Sequence, residues 1–261
     1  MIDRPLVEKS AASGLRKVTL LERDPARYIA RAVLAGMFLS IVVFVYWSLV
    51  NDLHDSPFGK VIASAFFGVG LCIIVFTNTE LFTSNNMYLA VSSAEGRTTW
   101  SKTLLVWVVC WLGNLLGALI IAGLLYGAGV LGALPESHSL FTGAEHKVHQ
   151  GMLAIFLKGI LANWVVCLAV RLAMGMKEDI AKIAIMICVV FIFLYLAFEH
   201  SIANMGTFAM SLLGNGSITI SEAAYNLLFA TLGNIVGGAL FVGIPFHFVN
   251  PKSDGTEDTH H

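Results

Sequence analysis

The sequence predicts an all-α polytopic membrane protein with six transmembrane helices in two inverted three-helix repeats, helices 2 and 5 being broken. Three observations carry this. The chain of 261 residues is 57% hydrophobic and only 13% charged, too little charge for the surface of a soluble domain of that length. Apolar runs of about 20 residues, the length that crosses a hydrocarbon core of about 30 Å as helix, recur along it. Two of these runs are interrupted by polar stretches in corresponding positions of the two halves, Thr79–Met87 and Ala197–Met205, a pattern that points to a transport site.

Residues 1–27 read as a cytoplasmic N-terminal arm. Leu15, Val18, Leu20 and Leu21 alternate with basic residues, so the arm is either an interfacial amphipathic helix or a solvated segment that enforces orientation. Its first 25 residues lack a continuous apolar stretch, so no cleavable signal peptide is expected. Residues 28–248 are expected to form the six-helix transmembrane domain. Span 1 covers Tyr28–Val50. The segment Lys60–Val91 is too long for one simple crossing and divides into Val61–Phe76, the polar break, and a short run from Met87. Span 3 covers Leu104–Leu125 and is followed by a long loop, Tyr126–Gln150, with Pro135 in it. Span 4 covers Met152–Ala173. Span 5 begins near Ile183 and breaks at Glu199-His200, and span 6 covers Ala224–Phe246. Residues 249–261 form a polar cytoplasmic tail, whose final His260-His261 is given no role.

Six crossings place both termini on one side. Thirteen of the sixteen lysines and arginines, Lys252 included, fall on that side, against Lys60 and Lys147 opposite and Lys158 within a span. The positive-inside rule makes both termini cytoplasmic and the chain a multi-pass protein of the cell membrane. The net charge of −1 offers no basis for a nucleic-acid partner.

Internal repetition supports two halves. Leu112-Gly113-Asn114-Leu115-Leu116-Gly117 is echoed by Leu232-Gly233-Asn234-Ile235-Val236-Gly237, and Glu80 and Glu199 stand 119 residues apart. Three spans per half is an odd number, so the second half inserts inverted, and the two breaks approach the membrane midplane from opposite sides. The glycines of both motifs are G-x-x-x-G faces that let helices approach closely.

Broken backbone at membrane depth survives only when buried in protein or lining a cavity. Its oriented N–H groups and helix N-termini favour an anion. His200 can change charge near neutral pH, so it can bind an anion or pass it a proton, or simply satisfy buried carbonyls as a neutral ring. Glu199 reads as structural, capping the freed N–H groups of the following half-helix, and Glu80 has the same part in the first half. The Thr83 hydroxyl either donates to a carboxylate or to His200, or closes a turn. Asn163 contacts the broken loops or the substrate, or joins helices. Lys147 and Lys158 attract anions; Lys147 could instead snorkel, whereas an unpaired ammonium at the depth of Lys158 is costly.

Four cysteines, Cys72, Cys110, Cys167 and Cys188, sit in apolar runs at no motif spacing and read as small core residues. An intramembrane metal-dependent enzyme is the reading from a different class that Glu199-His200 raises. No H-E-x-x-H and no other His/Cys cluster stands at ligand spacing, so neither metal nor cofactor is expected and the chain reads as no enzyme.

At Leu81-Phe82-Thr83-Ser84, Lys158-Gly159-Ile160-Leu161-Ala162-Asn163-Trp164, Phe198-Glu199-His200-Ser201-Ile202-Ala203-Asn204-Met205 and Gly233-Asn234, in that order, the chain resembles the formate/nitrite transporter family over about residues 28–248. The resemblance implies an aquaporin-like fold assembled as a homopentamer in the lipid bilayer, each subunit with its own pore. It implies His200 as the central histidine, Thr83 as the threonine of the first broken loop, and Asn163 and Lys147 as vestibule residues. Phe67 and Phe193 resemble one apolar constriction, and Leu71, Leu81, Phe82 and Val166 the other. The implied function is proton-coupled passage of a small weak-acid anion, formate first, with nitrite or hydrosulfide as alternatives.

Overall fold

The computed structural model describes residues 4–251, so Lys252, His260 and His261 lie outside the described residues. The described chain is all helical. In order it forms α1 (Arg4–Arg23), α2 (Pro25–Asp52), α3 (Gly59–Phe76), α4 (Phe82–Ala94), α5 (Trp100–Gly127), α6 (Ser139–Val148), α7 (Met152–Gly175), α8 (Asp179–Tyr195), α9 (Ser201–Leu213) and α10 (Ile220–Ile235). A π-helical stretch, Val236–Gly243, continues α10 into the short α11 (Ile244–Phe248).

Local chemistry sets many of the boundaries. Asp24 Oδ1 accepts the Arg27 N–H at 3.0 Å and Pro25 opens α2, so that helix begins three residues earlier than the apolar run. Thr99 caps α5, and Thr219 with Glu222 closes a capping box on α10. Among the described residues five helical segments are long and apolar enough to cross a membrane: α2, α3, α5, α7 and Ile220–Phe248. The 17-residue α8 is apolar but shorter. Leu104, Leu105, Val108, Leu112 and Leu116 stand exposed along α5, as expected where lipid or another subunit, not water, is the neighbour.

Helix α2 packs on α5 and α7 on α10, while α3 packs on α8 between them. The glycine motifs make the first two contacts possible. A Cβ on Gly117 would strike the Val33 carbonyl, and one on Gly233 the Phe156 carbonyl, so both pairs depend on backbone touching backbone. Helices α4 and α9 are wrapped by protein almost all round. Their polar side chains must therefore find partners inside the molecule.

Two segments differ from expectation. The supposed loop 126–150 contains α6, because Leu140, Phe141, Ala144 and Val148 form a buried helical stripe and His138 Nδ1 accepts the Leu140 N–H at 3.1 Å. The Asn51 side chain accepts from Ser139 N–H at 3.2 Å, which puts α6 at the far end of α2 from α1. The second is α1, which neither floats in solvent nor offers its apolar face to an interface. Val7, Ala11, Gly14, Val18 and Leu21 recur every three or four residues, are buried, and cover α4. Leu15, part of the expected apolar face, is 38% exposed.

A buried ion cluster fastens α1. Arg4 donates to both oxygens of Glu95, at 2.8 and 2.6 Å, and to the Asn250 carbonyl at 3.1 Å, while His247 Nδ1 stands 2.6 Å from Glu95 Oε1. The Arg4 guanidinium hydrogen bonds hold the Glu95 carboxyl down at about 2, against an ordinary 4.5. A carboxylate depressed in the folded state contributes stability above its unfolded pKa and loses it as pH falls through the folded one. Arg4→Ala is therefore expected to lower the thermal midpoint of the detergent-solubilised protein at pH 7. The gap to wild type should narrow progressively below pH 4.5, and a pH-independent gap would assign Arg4 a packing role only.

Candidate functional site

The two polar stretches are built alike. In each, the helix before the break ends with a non-glycine residue in the left-handed region, Asn78 at φ 57° and Ala197 at φ 54°, a conformation that costs about 1–3 kcal/mol and persists where surrounding contacts enforce it. The next acidic residue turns its N–H to the carbonyl of a cationic residue: Glu80 to Arg31 at 3.2 Å, Glu199 to Lys158 at 3.3 Å. An asparagine from the glycine motif then clasps the break. Asn114 Nδ2 donates to the Ala32 and Glu80 carbonyls at 2.7 and 2.9 Å, and its Oδ1 accepts the Phe82 N–H at 3.0 Å. Asn234 Nδ2 donates to the Gly159 and Glu199 carbonyls at 2.8 and 2.9 Å, and its Oδ1 accepts the Ser201 N–H at 2.8 Å.

This corrects the expected division of labour. The carboxylates of Glu80 and Glu199 do not cap the following helices; Asn114, Asn234 and His200 take those N–H groups. The carboxylates bind side chains instead. Glu80 accepts from Lys17 at 2.6 Å and from Asn85 at 3.0 Å. Glu199 accepts from Lys147 at 3.1 Å to each oxygen, Gln150 at 2.9 Å and Asn204 at 2.6 Å. Gln150 Oε1 in turn accepts from Lys158 at 2.5 Å. Two ammonium groups thus converge on one carboxylate, Lys158 through Gln150, leaving the cluster net positive. Each glutamate side chain is nearly inaccessible, at 4% for Glu80 and 1% for Glu199. A buried carboxylate so placed needs its cation, since removing one partner of such a pair is strongly destabilising.

Between these clusters His200 meets Thr83, with Nε2 3.0 Å from Oγ1. His200 is also the N-cap of α9, where its Nδ1 accepts the Ala203 N–H at 3.1 Å. An accepting Nδ1 holds no proton, so the neutral ring carries its proton on Nε2 and donates to Thr83; the tautomer follows from the hydrogen-bond pattern. Phe193 stacks on the imidazole with centroids 5.6 Å apart, and Phe67 meets Phe193 edge-on at 5.8 Å.

His200, Phe67, Leu71, Leu81, Val166 and Phe193 line one cavity of about 10 Å³. Five of the six residues expected at the two constrictions thus line this apolar enclosure. Phe82 is not among its walls and is buried with its N–H held by Asn114. Ile74, which sequence reading passed over, lines this cavity and also a basin of about 780 Å³ beneath the first break, walled by Arg16, Lys17, Arg23, Arg31, Thr79 and Glu80 among others.

Asn163 does not reach these cavities. Its amide nitrogen lies 3.1, 3.0 and 2.6 Å from Thr83 O, Asn86 Oδ1 and Asn234 O, so its donors are spent on protein rather than on a substrate. It fills the space against Gly238 in the π-helical stretch, where a Cβ would lie 2.5 Å from that nitrogen. Gln150, Asn85, Asn204 and Asn226 also escaped sequence reading. Asn85 and Asn204 carried a usable signal, each standing five residues after its glutamate.

Two polar breaks clasped by asparagines, flanked by lysine–glutamate clusters and closed by apolar side chains around a histidine, define a membrane channel or transporter for a small ion. Residues 4–248 match the family described as formate/nitrite transporter, and the chain belongs to that family. It is 32% identical over 251 residues to the nitrite transporter NirC of Escherichia coli K12, covering 95% of this chain and 92% of that one. Among solved structures it is similar to an FNT family ion channel, with TM-score 0.90 at 29% identity over 95% of this chain and 99% of the other. It is also similar to a pentameric formate channel with formate bound, with TM-score 0.73 at 26% identity over 85% and 96%.

Proposed function

We propose that this chain carries formate across the cell membrane as the neutral acid, through a path centred on His200. The observation that carries the reading is the His200–Thr83 pair set against the apolar enclosure. A bare anion entering that enclosure would lose its hydration with nothing to replace it, a prohibitive cost; a neutral acid would not. Lys147 and Lys158 raise the local anion concentration at the α6 end. The arriving carboxylate replaces Thr83 as acceptor from Nε2–H. Protonation of the ring at Nδ1, in place of the Ala203 N–H bond, makes an imidazolium. Transfer of the Nε2 proton to the carboxylate then yields formic acid and a neutral ring protonated on Nδ1, and uptake of a proton from water at Nε2 as Nδ1 releases its own restores the starting tautomer. Charge and protons balance, and one proton crosses with each acid.

The architecture supporting this reading is two inverted repeats, with α3/α4 and α8/α9 each forming one interrupted crossing, six crossings in all. Both termini are cytoplasmic, with α1 as the cytoplasmic arm, and five copies assemble, as in the pentameric formate channel to which the chain is similar. Nitrite is the second reading, favoured by the likeness to a nitrite transporter. Side-by-side uptake of formate, nitrite and hydrosulfide into proteoliposomes tests the order; formate uptake slower than that of both others would overturn it.

Lys158→Leu is expected to raise the half-saturating formate concentration about three- to tenfold, the range of one lost charge contact of about 1 kcal/mol, with the pentamer intact on gel filtration. An unchanged affinity with a dissociated oligomer would make Lys158 structural.

A further inference from the structure

The 780 Å³ basin beneath the first break is far larger than a three- or four-atom anion needs, and its volume is that of sites for much bigger ligands, about 300–1,000 Å³. Its charge is lopsided. Lys17 is paired with Glu80 at 2.6 Å and Arg27 with Asp24 at 3.3 Å. Arg16, Arg23 and Arg31 also line it, and none of the three has a carboxylate partner among the described residues; Arg16 donates only to the Ser13 hydroxyl, at 2.8 Å. Three arginines lining one concavity concentrate positive charge there, and a monovalent anion offsets only one of them. A chain of phosphates offsets all three and matches the planar guanidinium fork.

The basin reaches Thr79, Glu80 and Ser84 at the first break, and Ile74 is the wall it shares with the enclosure at His200. An occupant would therefore cover the approach to His200. It could not itself cross, because one proton does not neutralise several charges.

We infer that this basin is an inhibitory site for a phosphate-bearing polyanion of three or more charges. The inhibitory half of this inference rests on the reading of the basin as the mouth of the formate path; the binding half does not. The test uses inorganic tripolyphosphate. Calorimetry on the detergent-solubilised protein should give saturable binding, weakened at least tenfold in R16Q/R23Q, whose exposed side chains leave the fold intact. In phosphatidylcholine proteoliposomes, tripolyphosphate on both sides should suppress formate uptake, each variant being scored against its own uptake without it, while sulfate at matched ionic strength should not.

Vesicles containing a phosphoinositide bisphosphate and no soluble polyanion distinguish the source. Suppression there assigns the same chemistry to a lipid headgroup, and suppression by tripolyphosphate alone assigns it to a soluble ligand. Binding that is absent, or equal in wild type and R16Q/R23Q, overturns the site, and binding without suppression overturns its inhibitory role. Vesicles that take up neither formate nor nitrite contradict the transport reading instead, and calorimetry then decides the site alone.

Discussion

Replacing His200 with alanine is expected to cut formate uptake at least tenfold and to abolish its rise as external pH falls. The side chain has two duties, and the variant removes both. Nε2 is the polar donor that faces the apolar enclosure, and Nδ1 caps α9 through the Ala203 N–H. Loss of a cap costs about 1 kcal/mol, too little to unfold the protein but enough to cloud the result. His200→Asn separates the duties, since asparagine is a strong N-cap residue that does not titrate between pH 5 and 8. The asparagine variant should fold with wild-type thermal stability yet show formate uptake that no longer follows pH. Wild-type uptake and pH response in His200→Asn would remove the ring from the transport step.

The second large effect is on stability. Asn234→Leu is expected to cost about 3–5 kcal/mol, because it strands the Ser201 N–H and two carbonyls in a buried site, each orphan costing about 1–3 kcal/mol. Asn114→Leu should cost a similar amount through Phe82, Ala32 and Glu80. The amount of folded oligomer surviving extraction, and its thermal midpoint, report the loss. Tolerance of either leucine would mean that the breaks are held by something other than the two asparagines. Thr83→Ala, by contrast, removes one hydroxyl partner of His200 without touching the clasp.

What the sequence made legible follows from the physics of the membrane. Polar residues in an apolar run are costly enough to be conspicuous, so Glu80, Thr83, Glu199 and His200 stood out, and the matched spacing of the glycine motifs tied them into two halves. The family resemblance followed from the same stretches. What escaped was partner choice. Asn114 and Asn234 were visible inside a motif whose glycines explained it sufficiently as packing, so their clasping of the breaks went unread. Gln150 lies in a stretch that reads as loop, and only α6 brings it between Lys158 and Glu199. For Asn163 the sequence leaves open the broken loops, the substrate or a helix–helix bond, and its amide lies on Thr83, Asn86 and Asn234. A single apolar span was expected where α10 widens into π-helix, and no hydropathy pattern distinguishes the two. In α1 the expected apolar face already includes Val18 and Leu21; Val7, Ala11 and Gly14, which continue the buried stripe at helical spacing, are small or isolated among charged residues and carry little signal alone.

In the proposed path the two mouths are variations on one design. Each has a glutamate fixed by a lysine from a peripheral helix, Lys17 of α1 or Lys147 of α6. They differ in what surrounds that pair. At α6 the second cation is tied in through Gln150, whereas at α1 Arg16, Arg23 and Arg31 open onto a large basin.

The central claim, that the permeant is the neutral acid, is tested most directly by voltage. Formate uptake into proteoliposomes is measured at a fixed pH gradient while a potassium diffusion potential is stepped through both signs. The account predicts an initial rate that follows the pH gradient and is unmoved by the potential. A rate that follows the potential, with formate carrying current as a bare anion, would contradict it.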